Sequence, residues 1–128
     1  MNGEKNLDIL LKSMKPQLNE GSYVFCNIHD ISNLDITDCL MTFKEAEGIT
    51  VIINKETADK YGLNYTYVAS WITLTVHSSL EAVGLTAAFS GALANENISC
   101  NVVAGYYHDH IFVDTKDAEK AIEILSKF

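Results

Sequence analysis

The alternation of apolar and polar positions is most regular between residues 70 and 113. Three branched apolar residues alternate there with three polar or aromatic ones: Ile72, Leu74 and Val76 against Trp71, Thr73 and Thr75. This period of two is typical of a strand that buries one face, and we expect the strand to end near His77. Ser78 and Glu81 then match the S-x-x-E capping box, in which both side chains bind backbone N–H groups. The pattern therefore predicts a helix that starts at these residues.

The predicted helix has a face that consists mostly of small residues. Five positions fall on it at spacings of three and four: Leu80, Val83, Ala87, Gly91 and Ala94. Small residues let a helix backbone approach a sheet or another helix closely, so we expect this face to pack. The helix should end at residues 95–97, followed by a strand over residues 99–107. A turn at His108 to His110, with Asp109 as the favoured turn residue, should lead into a last strand that ends at Val113.

The first half of the chain predicts a helix, a strand and a hairpin. Four apolar residues fall at i, i+3, i+4 and i+7: Leu7, Leu10, Leu11 and Met14. They predict a short amphipathic helix, which Pro16 terminates. The run SYVFCNI after Gly21 is rich in aromatic and branched residues and predicts a strand. Residues 41–44 and 49–53 predict a hairpin, because Gly48 between them can take the positive φ of a tight connection.

The second half repeats part of the first at an offset of 60 residues, which pairs Ala58 with Ala118. VIINKETADK aligns with IFVDTKDAEK, and each copy predicts a strand, a polar cap at Asn54 or Asp114, and a helix. The final helix is amphipathic, with apolar residues again at i, i+3, i+4 and i+7: Ala118, Ala121, Ile122 and Leu125. The chain is therefore interpreted as a degenerate tandem repeat.

The order of elements predicts the fold class. A strand, a crossover helix, a hairpin and a second helix constitute the split βαβ pattern of a ferredoxin-like α+β sandwich with antiparallel sheets. We expect two degenerate units of this kind. The N-terminal helix and the first unit are assigned to residues 1–68, and the second unit to residues 69–128.

Composition supports a globular protein of 128 residues with 48% hydrophobic residues, enough to bury a core. No apolar run approaches the roughly 18 residues of a membrane span, and the N-terminus does not resemble a signal segment. Three widely spaced cysteines, Cys26, Cys39 and Cys100, predict neither a disulfide framework nor a structural zinc site. We expect reduced thiols, a cytoplasmic location, no cofactor and no membrane partner.

The charge of the chain argues against one class of partner. The formal net charge is −8 and the pI is near 4.8, with nine scattered basic residues. Nucleic-acid binding depends on clustered Lys and Arg that contact phosphates, so we expect no nucleic-acid partner. An exposed sheet edge and the helix face of small residues suggest instead a homodimer.

A family resemblance lies in the segment from Thr73 to Val113, with Gly84, the run GLTAAFSGALANENISCNV and the ending IFVDTKDAEKAIEIL. This segment resembles an ACT domain and is similar to the regulatory ACT domains of aspartokinases. The string WITLTVHSSLEAVGLTAAFSGALA followed by ISCNVVAGYYHDHIFV is more similar still to small stand-alone bacterial proteins that contain two ACT-like units. The first half shares only the strand order and the repeat.

The resemblance implies a non-enzymatic regulatory protein that binds a small molecule, most often an amino acid, in the loop after the first strand. The positions that match this site are His77, Ser78, Ser79, Leu80, Glu81, Gly84 and Asn101. Such loops usually carry an Asp shortly before the Gly, whereas this chain has SSLEAV. A helix N-terminus can bind a carboxylate, and Glu81 could hold an ammonium group.

Each of these residues also has a purely structural interpretation. Ser78 and Glu81 would serve only as a helix cap, Gly84 would allow close packing within the helix, and the side chain of Asn101 would bind a neighbouring loop. The residues alone leave both interpretations open.

The alternative function is a small metal-dependent or cysteine-dependent enzyme that uses His77, Cys100, His108 and His110. His108 and His110 at i, i+2 would share a strand face and could bind a metal, with Asp109 or His77 as a third ligand. The segment YHDH is nevertheless more typical of a hairpin tip, and a cysteine in a strand usually packs. No established catalytic motif occurs in the sequence.

Overall fold

Four α-helices and seven strands form from the residues described by this computed structural model, which are 6–76 and 80–128. The helices are α1 (Leu7–Ser13), α2 (Lys55–Tyr61), α3 (Leu85–Asn95) and α4 (Ala118–Leu125). The strands are β1 (Pro16–Leu18), β2 (Tyr23–Ile28), β3 (Cys39–Glu45), β4 (Gly48–Asn54), β5 (Val68–Leu74), β6 (Asn101–Ala104) and β7 (Asp109–Asp114). Short 3-10 helices occupy Ile31–Asn33, Ile36–Asp38 and Thr115–Asp117.

The chain divides into two compact units, each with its own hydrophobic core. The inserted unit is Gly21–Ala69, and the split unit combines Met1–Glu20 with Ser70–Phe128. Strand β5 begins in the inserted unit and ends in the split unit. Contacts therefore group α1 and β1 with the C-terminal half in space, whereas the sequence analysis assigned them to the range 1–68. That division at residue 68 stays a prediction.

The split unit has strand order β1-β5-β7-β6, with its helices against one face of the sheet. β1 runs antiparallel to β5, with Pro16 opposite Leu74, and β6 runs antiparallel to β7, with Asn101 opposite Phe112. The core combines alternate strand residues with residues of three helices: Ile72, Leu74, Ile111 and Val113 with Leu10, Leu85, Phe89, Leu93, Ala118, Ala121 and Leu125. The predicted apolar faces of the first and last helices are confirmed.

Helix α3 begins later than the capping box predicted. It starts at Leu85 with Gly84 as its N-cap residue, no side chain caps it, and Glu81 lies in a turn before it. Ser78, the other half of the predicted box, lies outside the described residues. β5 likewise ends at Leu74 rather than near His77. The prediction of a helix starting at Ser78 to Glu81 is therefore wrong.

The buried face of α3 also differs from the predicted one. Leu85, Phe89 and Leu93 face the core at i, i+4 and i+8, while Ala87 and Ala94 are exposed. Large apolar side chains bury more surface than alanines, so they determine which face of the helix packs inward. The small residues form the outer face of α3.

The β6–β7 turn lies before the predicted tip. The N–H of Gly105 donates to the carbonyl of His108 at 2.9 Å, and β7 already begins at Asp109. The turn is therefore GYYH rather than YHDH. Tyr106 and Tyr107 are exposed in it and contact each other edge to face at 5.0 Å between ring centroids.

The inserted unit has strand order β3-β4-β2, continued by the first two residues of β5. Its core contains residues of β2, β4 and α2: Val24, Cys26, Val51, Ile53 and Ala58. The β3–β4 hairpin is confirmed, and Gly48 has φ +148. A Cβ there would lie 2.7 Å from Asn27 Oδ1, so the connection needs glycine. Between β2 and β3, two 3-10 helices stand where the split unit has α3.

Caps of similar geometry occur at corresponding positions of the two repeats. Asn54 caps α2 as predicted, whereas Asp114 caps the 3-10 helix Thr115–Asp117 and not the last helix, so its predicted role as the cap of α4 is wrong. Asn54 Oδ1 accepts from the N–H of Glu56 at 2.9 Å, and Asp114 Oδ1 accepts from the N–H of Lys116 at 3.1 Å. The two cap residues share ψ 137 and have φ −56 and −53. Both units are ferredoxin-like α+β sandwiches with antiparallel sheets, as predicted.

The structure bears on the predictions made from the cysteines and from hydropathy. All three cysteines are free, so the expected absence of a disulfide framework agrees with the structure. Among residues 6–76 and 80–128, the helices are too short and too polar to cross a membrane.

Candidate functional site

The predicted ligand loop precedes α3. Its first three predicted residues, His77, Ser78 and Ser79, lie outside the described residues. Leu80 and Glu81 form an exposed turn, and Leu80 is 69% exposed. Val83, two residues further on, is 83% exposed. The described part of the loop thus presents apolar side chains to solvent directly before the helix N-terminus.

Gly84 sets the conformation of this loop. Its φ of +96 lies in the left-handed region, which L-residues with a Cβ rarely adopt. A Cβ added there would lie 3.1 Å from Leu7 Cδ2 of α1. Gly84 therefore provides both the turn into α3 and room for α1. It acts from the N-cap position and not, as its structural interpretation assumed, from within the helix.

The N-terminus of α3 has backbone donors available. The first N–H groups of any α-helix have no intrahelical partner. Among residues 6–76 and 80–128, neither a capping side chain nor an acidic first-turn residue compensates for them. The first bond within the helix runs from the N–H of Ala88 to the carbonyl of Gly84 at 2.9 Å. This helix end carries a partial positive charge and favours an anionic group.

Asn101 lies on the sheet face opposite the helices. It faces Phe112 across the ladder, and Phe112 alternates with the core residues Ile111 and Val113. Its Nδ2 donates to the carbonyl of Phe112 at 3.4 Å. The structure thus supplies a backbone partner for the Asn101 side chain and places it away from α3. Its predicted role in ligand binding stays a prediction.

A polar network that the sequence analysis missed crosses three strands of the split unit. Trp71 Nε1 donates to His110 Nδ1 at 3.0 Å, and Thr73 Oγ1 lies 3.1 Å from the same nitrogen. Asn19, just after β1, donates from Nδ2 to Thr73 Oγ1 at 2.9 Å and to the carbonyl of Trp71 at 3.2 Å. The available sequence signal was the polar residue Thr73 in an otherwise apolar strand.

The network defines the protonation state of His110. An indole N–H can only donate, so Nδ1 must accept and the neutral ring carries its proton on Nε2. Burial lowers the pKa of His110, and the neighbouring His108 lowers it further. His110 is therefore a neutral structural residue at pH 7, and its Nδ1 is already occupied.

Among residues 6–76 and 80–128, the histidines do not form the metal site of the alternative function. His108 Nδ1 lies 3.3 Å from the carbonyl of Val76, so His108 and His110 have separate partners. Within the part of the chain that the structure describes, no three metal-ligating side chains come together. Of the two residues proposed as a third ligand, Asp109 and His77, the latter lies outside those residues.

Cys100 also lacks the environment of a nucleophile. Burial raises its pKa to about 11, so the thiol is protonated at neutral pH. Reactive cysteines need the opposite shift, which a nearby positive charge or a helix N-terminus provides. Cys100 packs against the core of the split unit, in agreement with its structural interpretation.

Two family models match the chain, both described as ACT domain. One matches residues 2–70 and the other matches residues 67–127. Each match corresponds to one of the two repeats along the chain, although the N-terminal match also contains α1 and β1. No protein with a curated description matches the sequence.

Similar solved structures give the same result. A Vibrio cholerae protein of unknown function, described as a possible transport protein, is 48% identical with a TM-score of 0.87; the match covers 96% of this chain and 95% of that one. The regulatory subunit of aspartate kinase from Thermus flavus is 9% identical with a TM-score of 0.65, over 87% of this chain and 94% of that one. Aspartokinase alpha and beta subunits align at 13% identity and a TM-score of 0.63, over 88% and 95%. The last two likenesses show the fold alone.

Proposed function

The chain belongs to the ACT domain family, and from this premise we propose that it is a non-enzymatic regulatory protein that binds an amino acid at the loop before α3. Proteins with this domain are typically regulatory and bind small molecules. The proposed site includes the predicted loop residues from His77 to Gly84 and keeps Asn101 as a predicted contributor.

The uncapped N-terminus of α3 is the observation that carries this proposal. Gly84 turns the chain so that the first N–H groups of α3 have no side-chain cap. An amino-acid carboxylate is the type of group that such donors bind. Glu81, exposed and three residues before Gly84, adds a carboxylate for an ammonium group. The exposed Leu80 and Val83 offer apolar contacts for a side chain.

A thermal-shift screen tests the proposal. The purified protein is heated with each common amino acid at millimolar concentration, because a ligand at about 100 times its Kd stabilises the folded state by about 2.7 kcal/mol. We expect one or a few amino acids to raise Tm and their carboxamide analogues to fail, since the helix N-terminus requires the carboxylate. A screen without any shift, or equal shifts with the carboxamides, would contradict the proposal.

Asn101→Ala is the matched variant for this screen. If Asn101 contacts the ligand, the substitution abolishes the ligand-induced shift and leaves the Tm of the free protein nearly unchanged. If Asn101 serves only its bond to Phe112, the shift persists. The second result would remove Asn101 from the site without removing the loop.

A homodimer paired through β6 is part of the same proposal. β6 is an edge strand of the split unit, and residues 98–107 carry no charged side chain in a chain of net charge −8. Neutral edges avoid repulsion between copies, and unprotected edges pair readily. We expect light scattering to give the mass of two chains, and Val102→Lys to give the mass of one. The proposed setting is the cytoplasm, which the free thiols support.

A further inference from the structure

The inserted unit contains a cavity of about 360 Å³ at the C-terminal end of β2. Seven residues line the cavity: Ile28, His29, Asp30, Asn33, Leu34, Tyr61 and Leu63. They come from the end of β2, from the first 3-10 helix and its C-cap, and from the end of α2 with the residues that follow. Two segments about 30 residues apart in sequence thus enclose one space.

The apolar wall of the cavity is continuous with the core. Ile28, Leu34 and Leu63 pack against the core cluster of the inserted unit. The N–H of Leu63 donates to the carbonyl of Ala58 at 3.0 Å. The N–H of Leu34 donates to the carbonyl of Ile31, also at 3.0 Å. These bonds and contacts make the wall part of the folded unit, as in the preformed sites of small ligands.

Tyr61 holds the two sides of the cavity together. Its hydroxyl donates to Asp38 Oδ2 at 2.9 Å and accepts from the N–H of Asp35 at 3.3 Å. The last residue of α2 is therefore tied to the second 3-10 helix and to its N-cap residue. Tyr61 also lines the cavity, and the face of an aromatic ring attracts cations.

The polar part of the lining contains one carboxylate. Asp30 Oδ1 accepts two hydrogen bonds from Ser32, one from its hydroxyl at 2.7 Å and one from its backbone N–H at 2.9 Å. These bonds lower the pKa of Asp30. Asp30 is thus ionised at neutral pH, and neither bond uses its Oδ2. Within residues 6–76 and 80–128, the side chains of His29 and Asn33 make no hydrogen bond or ion pair, which leaves them available to a ligand.

The charge around the cavity has one sign. Residues 16–43 contain no Lys or Arg but four carboxylates, three of which are Asp30, Asp35 and Asp38. The whole inserted unit has three lysines against seven carboxylates. The potential of this region therefore attracts cations and repels carboxylates and phosphates.

We propose that the cavity binds a small organic cation, a primary amine with a branched apolar body. The ammonium group binds Asp30 Oδ2 and lies near the Tyr61 ring, the amide of Asn33 and the ring of His29 complete its polar contacts, and the apolar body contacts Ile28, Leu34 and Leu63. This site lies in the other unit from the proposed amino-acid loop and prefers the opposite charge.

Three probes of one shape test the charge preference. They are 3-methylbutylamine, which is a cation at neutral pH, 3-methylbutan-1-ol, which is neutral, and 3-methylbutanoate, which is an anion. Each is titrated into the intact chain while amide chemical shifts are recorded by NMR. We expect the amine to shift the amides of residues 28–34 and 61–63 and to bind at least about tenfold more tightly than the alcohol, because a hydrogen-bonded charge pair contributes more than a neutral bond. The anion should not bind there.

Asp30→Asn tests the assigned carboxylate. Asparagine retains an acceptor for Ser32, so the local turn remains, while the charge is lost. The affinity for the amine should fall about tenfold and approach that of the alcohol. Glu47→Gln, an exposed change of the same charge in the β3–β4 connection, is the control and should leave the affinity unchanged.

The proposal is overturned if the three probes bind equally, if the amine shifts amides of the split unit instead, or if Asp30→Asn binds the amine as well as the unsubstituted chain does. These results leave the amino-acid screen unaffected, because the two sites lie on different residues. A missing thermal shift with amino acids likewise leaves the amine titration intact.

Discussion

The two units share a strand order but connect the first strand to the hairpin in different ways. In the split unit, β5 leads through an exposed loop into α3, which has an uncapped N-terminus. In the inserted unit, β2 leads into two 3-10 helices that enclose a cavity with the end of α2. The sheets tolerate either connection, so the two units differ mainly in this connection, where both proposed sites lie.

Side-chain chemistry explains the two connections. α3 has large apolar residues at Leu85, Phe89 and Leu93, which bury one helical face. In the inserted unit, two aspartates each accept a hydrogen bond from the backbone N–H two residues later. Asp30 accepts from Ser32, and Asp35 accepts from Thr37. Such local bonds compete with a continuous helix and favour short turns. The helical connection therefore depends mainly on buried apolar side chains, and the other connection combines partly buried apolar contacts with local side-chain hydrogen bonds.

Removing a buried side chain from α3 should have the largest effect. Phe89 is fully buried, and Phe89→Ala should lower the free energy of unfolding by about 3–5 kcal/mol. Ile36, in the second 3-10 helix, is 62% exposed, so Ile36→Ala should change stability by no more than about 0.5 kcal/mol. Urea unfolding measures both. Similar losses in the two variants would contradict the view that α3 depends on the core more than the other connection does.

Substitutions of Gly62, after α2, and Gly84, before α3, should have the next largest effect on stability. Gly62→Ala places a Cβ at φ +69 with no atom within 4 Å, so we expect only the backbone cost of about 1–2 kcal/mol. Gly84→Ala adds a contact 3.1 Å from Leu7 Cδ2 and should cost more. Shortening the neighbour in Leu7→Ala should reduce the extra cost of Gly84→Ala. An equal cost in both glycine variants would show that α1 does not constrain the loop.

The equivalent caps should give a smaller and equal effect. Asn54→Ala removes the hydrogen bond from the N–H of Glu56, and Asp114→Ala removes the one from the N–H of Lys116. Each should lower the free energy of unfolding by about 1 kcal/mol. Thermal unfolding of the two variants checks the equivalence of the repeats. A large loss at only one position would show that the two caps are alike in geometry but not in energy.

The smallest expected effect is the pH dependence that His110 adds in the split unit. Its pKa is lowered from the usual 6.5, so below that pH the unfolded chain takes up a proton that the folded chain resists. The contribution of His110 to the free energy of unfolding is therefore fully present above pH 6.5, and it is lost as pH falls through the pKa of the folded state. His110→Asn retains an acceptor near Nδ1 for Trp71 without titrating. Urea midpoints at about pH 7.5 and about pH 5 should differ less in this variant.

Asp109 provides the control with the opposite sign. Burial raises its pKa, so the folded chain takes up a proton more readily than the unfolded chain, and stability rises as pH falls through the folded pKa. Asp109→Asn should therefore remove this gain, so the variant should lose more stability than the unsubstituted chain as pH falls from the folded pKa towards 3.8. If both variants changed the slope in the same direction, the assignment of His110 as the resisting group would be wrong.

Signals within a few residues predicted most of the elements. The apolar spacing of α1 and α4, the Gly48 connection and the Asn54 cap depend on neighbours that are close in sequence, and each was expected. The same local approach failed before α3. The S-x-x-E match at Ser78 and Glu81 satisfies the capping pattern, but the helix begins only after Gly84.

The sequence by itself thus determined most of the elements along the chain, the repeat, the fold class and the family, because period, turn residues and caps act locally. Only the tertiary structure decided where α3 begins, which of its faces is buried, and which polar groups meet. Gly84 lies against Leu7, Trp71 binds His110, and Tyr61 binds Asp38, all across long stretches of chain. Such contacts leave no periodic trace in the sequence, because their energy depends on which distant residues the packed core brings together.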